Sequence, residues 1–216
     1  MKKLLVLAAF VGVASFANAQ TTAGSIMVGG SLGFGSGKSE ATTSSVTVDG
    51  PKITAFNISP NVGYFIMDNV AVGLRLGYGS QKNTQKDVPA AGDETVTKQS
   101  DFTISPFARY YVSMADKAGL FLDASVDIGS GKTTTDVTTG GTTVSNETTD
   151  KSFGINVRPG VYWFVTDHIG LEGTFGSLGY NSNKNDNGAN PATETKSSSF
   201  GLNLNTGIAV GFNYYF

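Results

Sequence analysis

The sequence predicts an all-β fold, an eight-stranded antiparallel up-and-down transmembrane β-barrel preceded by a cleavable signal peptide. Three observations predict it. Apolar residues recur at every second position in eight segments, which is the period of a strand with two different faces. The connections between these segments alternate between short and long, as in a meander of hairpins. Charged residues make up only 15% of the 216 residues, against about 25% in an average soluble domain.

The first 19 residues are typical of a secretory signal peptide. Lys2 and Lys3 precede the apolar run 4–13, and Ala17-Asn18-Ala19 has the small-x-small form of a signal peptidase site. We therefore divide the chain into a signal peptide, 1–19, and a barrel, 20–216. The alternative, an N-terminal membrane anchor, is disfavoured because the apolar run is shorter than the roughly 20 residues that a helix needs to cross a bilayer.

The alternating segments begin after Gln20. In the third of them, Val, Leu and Tyr face one side, and Ala, Gly and Arg face the other. The predicted strands are 25–35, 53–65, 70–79, 102–112, 119–129, 153–165, 169–180 and 200–216. Proline removes a donor from the hydrogen-bond ladder, so we expect local bulges at Pro60, Pro106 and Pro159.

The connections differ at the two ends of this sheet. Short ones near 67–69, 113–117 and 166–168 suit tight hairpins. The long ones, at 37–52, 80–100, 130–150 and 181–196, are rich in Thr, Ser, Asn and Lys. A meander places all four long connections at the same end, where we expect hydrophilic loops.

The polar face of the strands decides which side of the barrel meets water. A water-facing sheet is normally rich in Lys and Glu, whereas this face is mostly Gly, Ser, Thr and Asn. Its six ionisable residues sum to zero charge: Arg75, Arg109, Arg158, Asp123, Asp127 and Glu172. Each arginine would cost roughly 2–4 kcal/mol facing lipid near the membrane midplane. We therefore predict that the six residues form an ion-pair network inside the lumen.

Aromatic residues concentrate near the ends of the predicted strands, as in the interfacial girdles of membrane barrels. One group lies beside the short turns: Tyr64, Tyr110, Trp163 and Tyr214. The other lies toward the long connections: Phe34, Tyr78, Phe102, Tyr180 and Phe200.

With these patterns the chain resembles the small eight-stranded outer-membrane barrels of the OmpA/OmpX type, and especially the outer membrane protein β-barrel domain group of Bacteroidetes-like bacteria. Its most specific part is the end of the chain, which looks like the terminal strand that the barrel assembly machinery recognises: Ile208, Val210, Phe212, Tyr214 and Phe216. The resemblance implies location in the outer membrane of a Gram-negative bacterium, contact with outer-membrane lipid and lipopolysaccharide, and a charged, plugged lumen. Without the peptidoglycan-binding domain of OmpA, the chain is more similar to OmpX.

The composition argues against other functions. There is no cysteine, and His168 is the only histidine, so thiolate and His-rich metal sites are excluded. Asp123 and Asp127 share a face and would be candidates for an acid/base pair, but nearby arginines favour their ionised forms, whereas a general acid must hold a proton. A formal net charge of -2 gives no basic surface for nucleic acid. We expect no catalytic residue, no cofactor and no metal.

The sequence therefore predicts an outer-membrane barrel with a structural or surface-interaction role, acting through four long extracellular loops, its lumen closed by the ionic network. At eight strands the side chains just fill the interior, so a wide aqueous pore is not expected. The alternative is a narrow channel or carrier for small solutes.

Overall fold

The computed structural model describes residues 21–43, 46–86, 93–187, 193–203 and 209–216. The predicted signal peptide, 1–19, and Ile208 of the predicted assembly signal lie outside them. The described residues contain ten strands: β1 Ile26–Thr43, β2 Val46–Met67, β3 Val70–Lys86, β4 Glu94–Ala115, β5 Ala118–Thr139, β6 Thr142–Phe164, β7 Ile169–Thr174, β8 Ser177–Asp186, β9 Glu194–Asn203 and β10 Ala209–Tyr215. They contain no helix of the length and apolarity needed to span a membrane.

Antiparallel pairing closes eight of these strands into a ring. Strands β1 to β7 pair in sequence order, and β10 pairs with both β7 and β1. Strand β8 continues from β7 along β6, and β9 pairs with β8. The up-and-down barrel is thus confirmed, with the seventh and eighth predicted strands each divided into two described parts.

The prolines interrupt the ladder in different ways. Pairing of β2 with β3 stops at Ile58–Tyr78 and resumes at Asn61–Arg75 in the same register, so Pro60 lies in a gap without a bulge. The expected bulge at Pro106 is also absent, since β4 keeps one register with β3 past it. Near Pro159 the register of β6 does change, because its partners shift by one residue between β7 and β8. The missing donor of proline therefore requires a lost hydrogen bond, but not an inserted residue.

The prediction of four long loops is wrong for most of their residues. The strands continue through them as paired hairpins, and β5 and β6 remain in register out to Thr139–Thr142. Gly140 and Gly141 close that hairpin with φ values of 57° and 81°, as a two-residue turn of positive φ requires. Thr and Val, which dominate this hairpin, are β-branched and favour extended backbone, so polarity alone is a poor guide to loops here.

The outside of the ring is apolar. Leu74, Leu122 and Val161 are among many large apolar side chains that are about half exposed, while polar and ionic side chains are buried inside. The same alternation that would bury these apolar groups in a water-soluble sheet instead presents them to acyl chains. This is the inversion expected of a membrane barrel.

The lipid-facing surface gives a depth-dependent prediction. Leu74→Arg places a charge on the outside of β3 and should lower the free energy of unfolding by about 2–4 kcal/mol. The control is Ser80→Arg, on the same face and strand but nearer the long hairpins, where the cost should fall to about 0–1 kcal/mol. Urea unfolding of the barrel in lipid vesicles measures both, and equal losses would contradict this membrane position.

Candidate functional site

The centre of the lumen is an ionic cluster around Asp123. Register places Arg109, Asp123 and Arg158 side by side on β4, β5 and β6. Asp123 is fully buried, and its Oδ2 accepts hydrogen bonds from Arg75 Nη2 at 2.8 Å and from Arg109 Nε and Nη2 at 3.1 and 3.0 Å. Arg158 Nη1 lies 3.8 Å from the other oxygen. Three arginines thus converge on one carboxylate.

Arg109 connects this cluster across the lumen to Glu172 on β7. Its Nη1 donates to Glu172 Oε2 at 2.5 Å, and the other carboxylate oxygen, Oε1, accepts from the hydroxyls of Tyr111 and Tyr215 at 3.1 and 2.9 Å. Arg109 and Glu172 are both buried. An interior ion pair is stable only when further hydrogen bonds satisfy its remaining groups, and the two tyrosines do this for Glu172.

Asp127 and Arg158 form a second layer above the first. Arg158 Nη2 lies 2.6 Å from Asp127 Oδ2, which also accepts from Asn156 Nδ2 at 2.8 Å. The side chains of Arg158, Arg75 and Asp127 are 26%, 19% and 16% exposed to solvent, whereas that of Arg109 is 3% exposed. The structure therefore brings together all six ionisable residues predicted on the polar face, with Arg109, Asp123 and Glu172 buried and Arg158, Arg75 and Asp127 partly exposed to a cavity.

The lumen near the short turns is filled by aromatic side chains. We call this layer the aromatic floor; its members are buried and comprise Phe65, Tyr111, Phe121, Tyr162, Phe164 and Tyr215. Their centroids approach to 4.9 Å for Phe164–Tyr215 and 5.2 Å for Tyr111–Tyr162, both edge-on. The Arg109 guanidinium lies over the Phe121 ring, 4.3 Å from its centroid, so cation–π contacts join floor and ionic cluster.

The sequence prediction missed this floor, although a signal was present. Four strands carry aromatic doublets beside the short turns: Tyr64-Phe65, Tyr110-Tyr111, Trp163-Phe164 and Tyr214-Tyr215. Successive side chains on a strand point to opposite faces, so one ring of each doublet meets lipid and the next enters the lumen. The structure exposes the first ring of each doublet and buries the second. The outward set is the predicted girdle.

A polar cavity of about 550 Å³ lies above the ionic cluster and extends toward the long hairpins. All six residues of the ionic cluster border it, and Asp101 together with mostly Asn, Ser, Thr and Gly lines the rest. Such a surface can hold water and hydrogen-bond small polar solutes. Within the described residues, no group of three or more His, Asp or Glu side chains could hold a metal ion.

The other sequence-predicted residues lie at the short-turn end or on the outer wall. His168 is in the turn between β6 and β7, where its Nδ1 is 2.9 Å from the Tyr215 carbonyl oxygen and its ring stacks on Tyr214. Val210, Phe212, Tyr214 and Phe216 of the predicted assembly signal are exposed on the outside of the last strand and at the chain end.

A closed antiparallel ring with an apolar outside and an ion-paired lumen defines an integral membrane β-barrel. Residues 4–216 match the family described as "Outer membrane protein beta-barrel domain". The chain belongs to this family and is a protein of the Gram-negative outer membrane.

Similar solved structures include the outer membrane protein OprG from Pseudomonas aeruginosa. It shares 14% sequence identity, with 90% of this chain and 97% of OprG covered and a TM-score of 0.46. Another is Neisserial surface protein A, NspA, at 19% identity, with 90% of this chain and 98% of NspA covered and a TM-score of 0.35. No curated protein matches the chain.

Proposed function

We propose that this protein is a closed outer-membrane barrel with a structural or surface-interaction role, whose long hairpins face the outside of the cell. The observation that carries the proposal is the filled lower lumen. The buried Arg109–Asp123–Glu172 cluster rests directly on the aromatic floor. A hydrated ion passing this level would have to separate paired charges whose side chains are almost completely buried, which costs several kcal/mol per ion.

The hairpins support the surface role. They extend β1 to β6, β8 and β9 beyond the apolar band and carry hydroxyl, amide and both signs of charge, a composition suited to contact with lipopolysaccharide or other surface polymers. We further propose that Ile208, Val210, Phe212, Tyr214 and Phe216 form the signal read by the barrel assembly machinery, because the four described members face outward in the last strand or at its end. We propose no enzymatic activity, since the carboxylates of the ionic cluster, Asp123, Asp127 and Glu172, are engaged with arginines.

The proposal is tested by conductance. Purified barrel inserted into planar lipid bilayers should give no steady openings in 1 M KCl. Steady single-channel currents from the unmodified barrel would contradict closure.

The runner-up function, a narrow channel or carrier for small solutes, is favoured by the polar cavity. Gly77 lines this cavity and has room for a side chain, because an added Cβ meets nothing nearer than 3.6 Å. If the barrel conducts, Gly77→Phe should reduce the current by filling the pathway.

A further inference from the structure

Lysines occupy a single level on the outer wall. Of the ten lysines beyond residue 20, eight point outward just above the apolar band, while all three arginines are in the lumen. Six of the eight form directly opposed cross-strand pairs: Lys38–Lys52, Lys82–Lys98 and Lys184–Lys196. Lys132 and Lys151 complete what we call the lysine belt, and Lys151 is also opposite Lys184.

The belt lies at a fixed distance from the upper aromatic girdle. On six strands, a lysine and an aromatic residue are separated by four positions, as in Phe34 and Lys38 or Tyr78 and Lys82. At about 3.3 Å per residue this is about 13 Å along the strand, or about 9 Å in height for a strand tilted by about 45°. Girdle rings sit at the level where acyl chains meet headgroups, so the belt lies at the level of the headgroups themselves.

The side chains between the girdle and the belt are small hydroxyls rather than acids. Ser36, Thr54, Ser80, Ser100 and Ser130 occupy this intermediate row on the first five strands. The carboxylates that pair with belt lysines come from residues farther along the hairpins. Three of these contacts are Lys38–Glu40 at 2.7 Å, Lys132–Glu147 at 2.7 Å and Lys184–Glu194 at 2.6 Å. With increasing distance from the membrane, the positive charges of the lysines therefore come first and the negative charges of the carboxylates follow.

Half of the lysines in the belt lack a carboxylate partner among the described residues. Lys98 has a partner in Asp136 at 3.2 Å, and hydrogen bonds from Ser145 and Lys98 hold the pKa of that aspartate below its usual range. Among the described residues, Lys52, Lys82, Lys151 and Lys196 make no ion pair. Like charges directly opposite one another destabilise a sheet, so stacking cations at one level is unfavourable unless an anion covers them.

The wall also has a depression at this level. A groove of about 470 Å³ on β3 to β6 is bordered by Tyr78, Phe102, Lys132 and Lys151, with Ser100 and Ser130 between them. Asp101 and Asp150 also border the groove, but their side chains turn to the lumen face, where Asp101 lines the polar cavity and Asp150 lies over Gly131. The outward face of the groove therefore combines two cations and two hydroxyls with an apolar edge. Cations and hydroxyl donors in this arrangement can bind a phosphorylated headgroup whose acyl chain continues down the barrel wall.

We propose that the lysine belt binds the phosphate groups of the outer-leaflet glycolipid, with Lys52, Lys82, Lys151 and Lys196 as its principal contacts. The inference rests on the proposed orientation, in which the long hairpins face outside. It names the lipid partner of that surface and does not depend on whether the lumen conducts. A barrel that conducts ions but binds the glycolipid would therefore contradict the closed-lumen proposal alone.

Lysine acetylation of the folded barrel in zwitterionic detergent micelles tests the proposal. The probes are lipopolysaccharide, the same lipopolysaccharide after removal of its phosphates, and inorganic phosphate. Mass spectrometry reads each lysine, and Lys117, exposed at the short-turn end, is the internal control. We expect intact lipopolysaccharide to slow acetylation of the four principal lysines at least about fivefold and to leave Lys117 unchanged. Equal protection by dephosphorylated lipid or by inorganic phosphate, or equal protection of Lys117, would overturn the proposal.

A charge variant provides an independent measurement. Replacing the four principal lysines by Gln should weaken lipopolysaccharide binding by about tenfold or more, since each cation near an anionic surface contributes to the attraction. Replacing the same four by Arg is the matched control and should retain binding. Unchanged binding by the folded Gln variant would overturn the proposal, and the acetylation result on the unmodified barrel stands if that variant does not fold.

Discussion

Arg109→Leu is expected to lower the free energy of unfolding of the barrel by about 3–5 kcal/mol, the cost of breaking a buried ion pair from one side. The substitution leaves Glu172 with only the Tyr111 and Tyr215 hydroxyls and gives the six-residue cluster a net charge of one negative unit. Asp123 retains Arg75 at 2.8 Å, so the loss should centre on Glu172. Urea unfolding in lipid vesicles, followed by tryptophan fluorescence, measures the change.

A second substitution separates charge from packing. Arg109→Leu combined with Glu172→Gln removes both charges of the Arg109–Glu172 ion pair and returns the cluster to neutrality. The double variant should be more stable than Arg109→Leu alone by about 1–2 kcal/mol, because neighbouring charged groups are coupled and their effects are not additive. An Arg109→Leu barrel that unfolds at the same urea concentration as the unmodified barrel would show that the network does not stabilise it.

Tyr111→Ala is expected to have a comparable effect on stability and a larger one on permeability. The ring is buried in the aromatic floor, with ring centroids of Phe65, Phe121 and Tyr162 within 5.2–6.0 Å. Removing a large buried ring costs about 3–5 kcal/mol. It also opens a gap beneath the polar cavity and leaves the remaining lumen charges accessible, so measurable ion currents should appear in planar bilayers.

The neighbouring tyrosine is a matched control. Tyr110 is on the same strand but faces lipid and is 44% exposed, so Tyr110→Ala should leave the lumen closed. Tyr111→Phe keeps the ring and removes the hydroxyl that donates to Glu172; it should cost about 1 kcal/mol without opening the barrel. Currents through Tyr110→Ala equal to those through Tyr111→Ala would contradict the assignment of the floor as the barrier.

The sequence predicts the faces of the strands well because alternation is a local property. Leu74 and Arg75 are adjacent, and the pleat alone places them on opposite sides of the wall. The cost of arginine in lipid then fixes which side is the lumen. Strand ends are harder to predict, because Thr-rich polar segments such as 133–139 have the composition of a loop and the backbone preference of a strand. Their pairing out to Thr139–Thr142 depends on the partner strand, which local polarity does not reveal.

The candidate site likewise has features that the sequence predicts and features that it does not. Neutrality and burial of the six ionisable residues follow from the pattern, but the choice of partners does not. Arg109 contacts Glu172 across the lumen, from β4 to β7, over a separation of 63 residues, and only closure of the ring brings these strands face to face. The aromatic floor is a second example, since Tyr111 meets Tyr215 over 104 residues. If each doublet is interpreted as one lipid-facing and one lumen-facing ring, the sequence identifies four of the six floor members. It identifies neither Phe121 and Tyr162 nor the contacts among the rings.

By itself, the sequence determined that this chain is a membrane barrel with an apolar outer surface and charged side chains in the lumen. It could do so because side-chain alternation and the cost of placing charge in hydrocarbon act residue by residue. The tertiary structure alone decided that the lower lumen is closed by rings and the upper lumen is a cavity. Those properties depend on which side chains meet across the axis, and that is set by the register and circumference of the closed ring.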